Sequence, residues 1–337
     1  SKKIMNEKTF DIAIVGAGLT GLLTAFSLSR KNLNIAIIDK GDIFDSKSLN
    51  NDFRTTAIAE GSKAFIQDLG LWKELNNFAQ PIHKILVYDR NDSNKINFQN
   101  PQKNSFLGYI IKNSIIKKKL IEKLSKQKKI NFFCNNALNQ IDFFKQNVEI
   151  KLKNDQITTN LVIAADGKNS WLRKHLKTPI YKKKYNHDAM VLNISHNLNH
   201  KNTAYELFFQ SGPLAILPML PEKGYKYSSS IVWSNNKQYL FNLEKLQKNF
   251  LINILEEKLK KYIGKIEKIH NKQTFNLSAH INSSLYENRL VYVGDAAHSL
   301  HPIAGQGWNL GIRDIKNLSN SLEEGVALGL DVGDKFI

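Results

Sequence analysis

The residues best suited to chemistry lie near the end of the chain, between residues 294 and 314. A short apolar segment, Leu290 to Val293, is typical of a strand and leads into Gly294-Asp295. An acidic side chain at a strand end can accept hydrogen bonds from sugar hydroxyls. Pro302 then redirects the chain, and Gly305-Gln306-Gly307 opens a helical pattern, where backbone N–H groups favour negative charge. These features suit a cofactor that carries both a polyol and a ring that becomes anionic, which describes FAD.

A second glycine-rich segment stands near the start of the chain. Gly16-Ala17-Gly18-Leu19-Thr20-Gly21 directly follows an apolar segment, Phe10 to Val15, and apolar residues then recur at helical spacing. A second predicted strand, Asn34 to Ile38, ends at Asp39, eighteen residues after Gly21. This is the dinucleotide-binding fingerprint in its strand–turn–helix–strand context.

Each residue of this fingerprint has a physical task. Gly16 permits the tight turn, Gly18 lets a pyrophosphate approach the backbone, and Gly21 lets the helix pack closely on the strand. Asp39 can accept hydrogen bonds from the adenosine ribose.

A third motif lies between the first two. The buried strand predicted at Leu161 to Ala165 is followed by Asp166-Gly167-Lys168-Asn169-Ser170, with Arg173 three residues later. Asp-Gly after a strand is by itself only a turn signal. Together, however, the three motifs resemble those of the single-component FAD aromatic hydroxylases.

The resemblance is greatest to the ubiquinone-biosynthesis hydroxylases, and it extends from residue 10 to about residue 330. Three further segments match that family: Asp52-Phe53-Arg54-Thr55-Thr56-Ala57-Ile58, Leu69-Gly70-Leu71-Trp72 and Gly108-Tyr109-Ile110. Many relatives have an arginine where Ser114 stands, so this chain departs from the family at one flavin contact. Relatives also continue for several tens of residues beyond a segment like 330–334.

The resemblance implies an α/β protein with a discontinuous Rossmann-like FAD-binding domain and an antiparallel β-sheet substrate domain. The FAD-binding domain is expected at residues 1–82, 105–182 and 281–337, and the substrate domain at 83–104 and 183–280. Alternating positions predict a hairpin from His83 to Phe98. Strands are expected at 204–210, 214–217 and 228–233. One amphipathic helix is expected from about Leu243 to Tyr262, and another from Asn113 to Leu124.

The resemblance also implies the roles of individual residues. We expect Arg54 near the pyrophosphate and flavin, with a surface ion pair as the alternative. Asp295 is expected on the ribityl hydroxyls or near a phosphate, and Pro302 beside the ring. The remaining expected cofactor contacts are Asp166, Gly294, Gly305, Gln306, Gly307 and Asn309.

No side chain is assigned as catalytic, because the flavin carries out the difficult step in this class. A flavin hydroperoxide is expected to oxygenate a polyprenylated phenol, with O2 as co-substrate and NAD(P)H as the expected reductant. Pro302, His298 and Trp308 are possible pocket residues. His298 and His301 have i, i+3 spacing, but no further ligands stand nearby, so no metal site is expected.

Composition limits the partners of the chain. The net charge is +18, yet only six of the 48 basic residues are arginine, and no nucleic-acid-binding module appears. We therefore expect no nucleic acid partner. Attraction to an anionic membrane surface remains an alternative, because a polyprenylated substrate resides in membrane. The single cysteine, Cys134, excludes an internal disulfide and fits a cytoplasmic protein, peripheral to the membrane at most.

Two other functions stay open at this point. One is an FAD-dependent reductase or dehydrogenase of an isoprenoid substrate, which the same scaffold could support. The other is a flavoprotein that organises a quinone-biosynthesis complex. The oligomeric state does not follow from the residues.

Overall fold

Three sheets and nine α-helices are seen in a computed structural model that describes residues 8–89, 95–100, 102, 105–300 and 307–334. The strands are β1 (Lys8–Val15), β2 (Ile35–Ile38), β3 (Thr55–Ala59), β4 (Gln80–Ile82), β5 (Lys84–Tyr88), β6 (Lys95–Gln99), β7 (Gly108–Lys112), β8 (Ile130–Phe133), β9 (Leu138–Phe143), β10 (Val148–Leu152), β11 (Gln156–Ala164), β12 (Ile180–His196), β13 (Thr203–Phe209), β14 (Gly212–Met219), β15 (Tyr227–Asn236), β16 (Ile266–Asn282), β17 (Tyr286–Glu287), β18 (Leu290–Tyr292) and β19 (His298–Ser299). The helices are α1 (Leu19–Ser29), α2 (Ser46–Asn51), α3 (Glu60–Asp68), α4 (Trp72–Leu75), α5 (Asn113–Leu124), α6 (Trp171–His175), α7 (Lys237–Glu244), α8 (Lys248–Ile263) and α9 (Gly307–Ala327), with 3-10 turns at Asn76–Phe78 and Gly294–Ala296.

The first sheet holds the cofactor motifs. Its order is β17-β18-β11-β1-β2-β8, and the five strands from β18 to β8 run parallel. The strands β9 and β10 extend it as an antiparallel hairpin on β11. Because β18, β11, β1 and β2 are parallel, their carboxyl ends meet at one edge, where ligands of open α/β sheets bind.

Burial on both faces explains the apolar composition of these strands. In β1, Ile12 and Ile14 pack with residues of α1, α5 and α9, whereas Ala13 and Val15 pack on the opposite face. Parallel strands covered on both sides need such continuous apolar sequences.

The second sheet, which we call the lid sheet, has the order β19-β16-β12-β15-β14-β13-β5-β6. Its pairs are antiparallel except for β13 with β5. Helices α7 and α8 pack on one of its faces. A three-stranded sheet, β3-β7-β4, contacts the other face through a small apolar cluster.

The predicted fold class is confirmed, as are the hairpin of β5 with β6 and the helix at Asn113–Leu124. The helix predicted from about Leu243 to Tyr262 is present as α8, but its start is wrong, because a second helix, α7, ends at Glu244 and residues 245–247 separate the two. Leucines of both helices, including Leu243 and Leu255, pack on the same side of the lid sheet. The helical spacing of apolar residues therefore continues across residues 245–247, so the end of one helix and the start of the next cannot be recognised from this spacing.

The proposed division into domains stays a prediction. Its limits at 182/183 and 280/281 fall inside the long paired strands β12 and β16. These two strands therefore connect the lid sheet to the region that holds the cofactor motifs. No helix in the described ranges is long and apolar enough to cross a membrane.

The packing of α1 on the first turn gives a test of this fold. A Cβ added to Gly21 would lie 1.8 Å from the carbonyl oxygen of Gly16, so Gly21→Ala forces the backbone to move. We expect this variant to lose about 1–3 kcal/mol of unfolding free energy in urea titrations of the apoprotein. Gly61→Ala is the control, since a Cβ there meets nothing within 4 Å. The packing argument fails if Gly21→Ala is as stable as the wild type.

Candidate functional site

The turn after β1 has the backbone geometry that the fingerprint predicts. Gly16 has a φ of +105°, and a Cβ there would lie 2.4 Å from the carbonyl oxygen of Ala165. Gly18 has a φ of −74°, and a Cβ there would meet nothing within 4 Å. Gly16 therefore packs directly against the end of β11, whereas the space in front of the Cα atom of Gly18 is free.

The N-terminus of α1 begins at this opening. Gly18 is its N-cap, no described side chain caps it, and its first turn has no acidic residue. The first N–H groups of a helix lack intrahelical acceptors, and the helix dipole adds partial positive charge. This end of α1 therefore fits the pyrophosphate of FAD.

Asp39, at the end of β2, lies beside the same turn. Its Oδ2 accepts a hydrogen bond of 2.7 Å from the N–H of Ala17, and its Oδ1 accepts one of 2.8 Å from Gly41. The carboxylate thus links the ends of β1 and β2. Each oxygen has a second lone pair that can accept a ribose hydroxyl, so the predicted ribose contact fits this position and stays a prediction.

The C-terminal motif meets α1 at Gly294. This residue has a φ of +60°, and a Cβ there would lie 2.8 Å from Oγ1 of Thr20 in the first turn of α1. Only glycine allows this approach. The two glycine-bearing motifs, from opposite ends of the chain, therefore form one site.

Asp314 of α9 holds the C-terminal motif in place. Its Oδ2 accepts a hydrogen bond of 2.9 Å from the N–H of Gly294 and lies 2.7 Å from Nε2 of His298. Burial is the largest influence on His298 and lowers its pKa, but the hydrogen bond and charge of Asp314 outweigh it, so the pKa is raised. His298, predicted as a possible pocket residue, is thus bound to α9 through Nε2.

Asp295 interacts electrostatically with two charged residues of other motifs, Lys168 and Arg54. Burial raises the pKa of Asp295, while the charges of His298, Lys168 and Arg54 act to lower it. Lys168 has a lowered pKa because burial outweighs the charge of Asp295. Its Nζ donates a hydrogen bond of 2.9 Å to the carbonyl oxygen of Asn276 in the lid sheet.

Arg54 forms an ion pair, which was the alternative prediction for it, and its expected place near the pyrophosphate and flavin stays a prediction. It forms two hydrogen bonds to Asp52, at 2.8 and 2.9 Å, and Asp295 also acts on its charge. Burial is the largest influence on Asp52, but Arg54 and Lys117 outweigh it and lower the pKa of this carboxyl. The guanidinium carbon of Arg54 lies 5.6 Å from the centre of the Phe275 ring of β16. Arg54 is therefore ion-paired and close to Asp295.

Asp166, predicted as a cofactor contact, is hydrogen-bonded to the start of α6. Its Oδ2 accepts hydrogen bonds from the N–H groups of Trp171, at 2.7 Å, and Leu172, at 3.2 Å. Its Oδ1 is buried with no hydrogen-bond partner in the described part of the chain. Burial raises the pKa of this carboxyl. A cofactor contact through Oδ1 remains a prediction.

Arg173 has a structural role that the sequence did not predict. It is buried, and its Nη1 donates a hydrogen bond of 3.0 Å to the carbonyl oxygen of Ala296 and lies 3.1 Å from Nε2 of His280. Burial, followed by the charge of Arg173, lowers the pKa of His280 to about 4, so the imidazole is neutral. The arginine joins the middle motif to the C-terminal one. The sequence offered one signal for Arg173, its position shortly after Asp166-Gly167. Its hydrogen-bond partners could not be predicted, because they lie far away in the sequence.

The start of α9 contains three more predicted site residues. Asn309 uses both ends of its amide on β3, accepting from the N–H of Ala59 at 2.9 Å and donating to the carbonyl oxygen of Ala57 at 2.8 Å. A side-chain contact from Asn309 to a cofactor is therefore disfavoured. Trp308 is half-buried against the core around α1, which favours packing over pocket lining. Gly307 is exposed as the first residue of α9.

Residues 301–306 of the C-terminal motif lie outside the described residues, and four of them had been singled out: His301, Pro302, Gly305 and Gln306. Their predicted roles stay predictions. Within the described ranges, no three His, Cys, Asp or Glu side chains form a metal-binding group.

The lid sheet faces this edge of the first sheet and is bonded to it by Lys168, and we call the side on which the two face each other the cleft. On the lid sheet, Asn193 of β12 donates a hydrogen bond of 2.7 Å from Nδ2 to the carbonyl oxygen of Phe53. Further along, Ala204, Ala215 and Leu217 pack on Ala57 of β3. The lid sheet thus contacts the segment that carries Arg54, and part of its face on this side is apolar. A cavity of about 470 Å³ lies elsewhere, between β18, α9 and residues 332–334, and we do not assign it to the site.

Comparisons with known proteins agree with this geometry. The family model described as "FAD binding domain" matches residues 9–327. A ubiquinone hydroxylase, UbiL, from Rhodospirillum rubrum is 29% identical over 328 residues, which cover 97% of this chain and 75% of the relative. A 3-demethoxyubiquinol 3-hydroxylase from Escherichia coli is 25% identical and covers 94% and 81%, respectively.

A solved structure shows the same fold. It is p-nitrophenol 4-monooxygenase PnpA from Pseudomonas putida DLL-E4, with a TM-score of 0.79 and 15% identity, covering 98% of this chain and 84% of that one.

Gly18 gives a direct test of the anion site. Because the space in front of its Cα is open, Gly18→Val should fold, but the side chain would occupy the room that a pyrophosphate needs. We expect at least about a tenfold loss of FAD affinity, or roughly 1.4 kcal/mol, in fluorescence titrations of the apoprotein. The circular dichroism spectrum should not change. Normal FAD affinity in the folded variant would contradict the assignment.

Proposed function

The chain belongs to the FAD-binding domain family, and from this premise we propose that it is an FAD-dependent monooxygenase that hydroxylates the aromatic ring of a polyprenylated phenol in ubiquinone biosynthesis. FAD is its cofactor, and NAD(P)H is the reductant expected for the family. The named relatives are ubiquinone hydroxylases, which supports this class of substrate.

One observation supports the proposal most strongly: Gly294 lies against the first turn of α1. This contact brings Asp295 and the start of α9 beside the anion-binding end of α1. A cofactor with a diphosphate, a polyol and a ring matches this arrangement: the diphosphate fits the start of α1, the polyol fits Asp295, and the ring fits the start of α9. A nucleotide without the polyol and ring would leave the C-terminal motif without a role.

The residues of this chain would divide the work as follows. Bound FAD would supply the redox chemistry that activates O2. The start of α1 and Gly18 would hold the pyrophosphate, Asp39 the adenosine ribose, and Asp295 the ribityl hydroxyls. The positive charge of Arg54 would offset the negative charge of the pyrophosphate. Pro302, Gly305, Gln306 and Gly307 would face the ring, and the N-terminus of α9 would stabilise negative charge on it.

The two alternatives find no support in the comparisons. A reductase or dehydrogenase of isoprenoid chains would be expected to have relatives with that activity, but those cited are hydroxylases. The scaffold alternative likewise has no support from the relatives cited, whose names describe hydroxylases.

Oxygen incorporation tests the proposed reaction. Protein loaded with FAD is supplied with NADH, ¹⁸O2 and a phenol that carries a short isoprenoid chain. We expect a product that has gained one ¹⁸O atom on the ring, detected by mass spectrometry. Gly18→Val, which lacks the cofactor, serves as the matched control. A product with two added hydrogens and no ¹⁸O would instead indicate a reductase.

We further propose that the enzyme works at the surface of an anionic membrane. Where β12 begins and β16 ends, Tyr181 pairs with Ile281, and these side chains are 74% and 50% exposed. Leu300, just after β19, is also exposed. The lysines at 182, 183 and 184 adjoin these residues and are exposed as well. Exposed apolar side chains beside lysines suit a lipid surface, to which each lysine adds about 1 kcal/mol.

Vesicle sedimentation tests this surface. Binding to vesicles that contain phosphatidylserine should weaken when Lys182, Lys183 and Lys184 are all changed to Gln, and it should also weaken with salt. The control changes Lys145, Lys151 and Lys153 to Gln, which removes the same charge from the exposed β9–β10 region. Equal losses in the two triple variants would point to net charge rather than to this surface.

A further inference from the structure

A single carboxylate stands in an apolar row of the lid sheet. In β13, Glu206 pairs with Ala215 of β14 on one side and with Val87 of β5 on the other. The row continues from Ala215 to Val232 and from there to Val191. Cross-strand neighbours share one face of a sheet, so these five side chains lie on the same face.

The alternation along β13 identifies that face. Tyr205 and Leu207, on either side of Glu206, pack with residues of α8, and the rings of Tyr205 and Tyr262 lie 4.9 Å apart. Successive residues of a strand point to opposite faces. Glu206 therefore lies on the face away from α8, the face on which Ala204 and Ala215 pack against β3.

The same row reaches the cofactor motifs at its other end. Val191 of β12 pairs with Gln273 of β16, two residues before Phe275. The Phe275 ring lies beside the guanidinium of Arg54, as described above. The row thus runs across the wall of the cleft from the cofactor motifs to Glu206.

Glu206 differs from other carboxylates near the cleft. Glu222 forms an ion pair with Lys112, and Asp52 forms one with Arg54. Glu206 is half-buried and has no ion pair or hydrogen bond with any residue that the structure describes. Burial alone raises its pKa. A carboxylate among apolar side chains costs free energy unless it is hydrogen-bonded, so a ligand group that donates a hydrogen bond to Glu206 would be favoured there.

We infer that Glu206 binds the phenol hydroxyl of the substrate as a hydrogen-bond acceptor, while the surrounding apolar row holds the ring. The inference rests on the proposed function, which supplies the phenol. A phenol O–H donates one hydrogen bond, and a carboxylate accepts it strongly because it is charged. With one polar contact in an apolar wall, the position of that contact determines which ring carbon faces the cofactor. The same hydrogen bond increases electron density on the ring, which favours attack on an electrophilic oxygen.

The experiment compares a phenol that carries a short isoprenoid chain with its O-methyl ether. Both have the same ring and chain, but only the phenol can donate a hydrogen bond. Their dissociation constants are measured by equilibrium dialysis with the FAD-loaded wild type and with Glu206→Leu and Glu206→Gln. Glu267→Gln, an exposed position on β16, is the matched control. Thermal unfolding and FAD content establish that each variant is folded and loaded.

We expect the wild type to bind the phenol about ten- to a hundredfold more tightly than the ether, the range for a hydrogen bond to a charged group. Glu206→Leu should abolish this preference and leave binding of the ether unchanged or stronger. Glu206→Gln should retain part of the preference, since its amide oxygen still accepts. Glu267→Gln should behave as the wild type.

The outcomes separate this inference from the proposed function. If the wild type prefers the phenol and Glu206→Leu keeps that preference, the role of Glu206 is wrong and the proposed function stands. If Glu206→Leu weakens both ligands equally, the residue shapes the cleft without recognising the hydroxyl, and the inference is again wrong. If the loaded wild type binds neither compound, both the inference and the proposed function are overturned.

Discussion

The site depends on one close approach between two backbones, that of Gly294 to the first turn of α1 at Thr20. The parallel order of β18, β11 and β1 brings these segments to the same edge of the sheet. A side chain at Gly294 would separate them, and Asp295 would then no longer lie near the anion-binding end of α1. The hydrogen bonds of Asp314 and Arg173 maintain this geometry, because both fix the short segment that follows β18.

Two of the hydrogen bonds that join the lid sheet to the cofactor region end on carbonyl oxygens of the main chain. Asn193 donates to the carbonyl oxygen of Phe53, and Lys168 donates to that of Asn276. Such contacts fix the separation of the two walls of the cleft without dictating the side chains that line it. The inner face of the lid sheet can therefore carry a mostly apolar row with one carboxylate, Glu206, and still remain in register with the cofactor motifs.

The sequence predicted those parts of the site that depend on local sterics. The glycines of the first turn and the strands on either side of them follow from backbone geometry within about thirty residues. Side-chain partners from distant segments could not be predicted in this way. Asp166 binds the start of α6, Asn309 binds β3 and His298 binds Asp314. In each case the residue type suits a contact with a ligand as well as a contact within the protein. Only the fold shows which protein group lies close enough to be its partner. The break between α7 and α8 escaped prediction for a related reason, since both helices cover the same sheet.

The position of β18 has a consequence for biosynthesis on the ribosome. This strand, almost the last along the chain, pairs with β11 next to β1, which is the first. The half-site formed by β1, α1 and β2 is translated before β11, and the segment that completes it, from Leu290 onward, is translated much later. The part of β11 that pairs with β18, Val162–Ala164, therefore has no partner on that side until Leu290 to Tyr292 have been made, and such unpaired edges are prone to aggregation. Cofactor loading is consequently a late event, coupled to the closing of the sheet by its final strand.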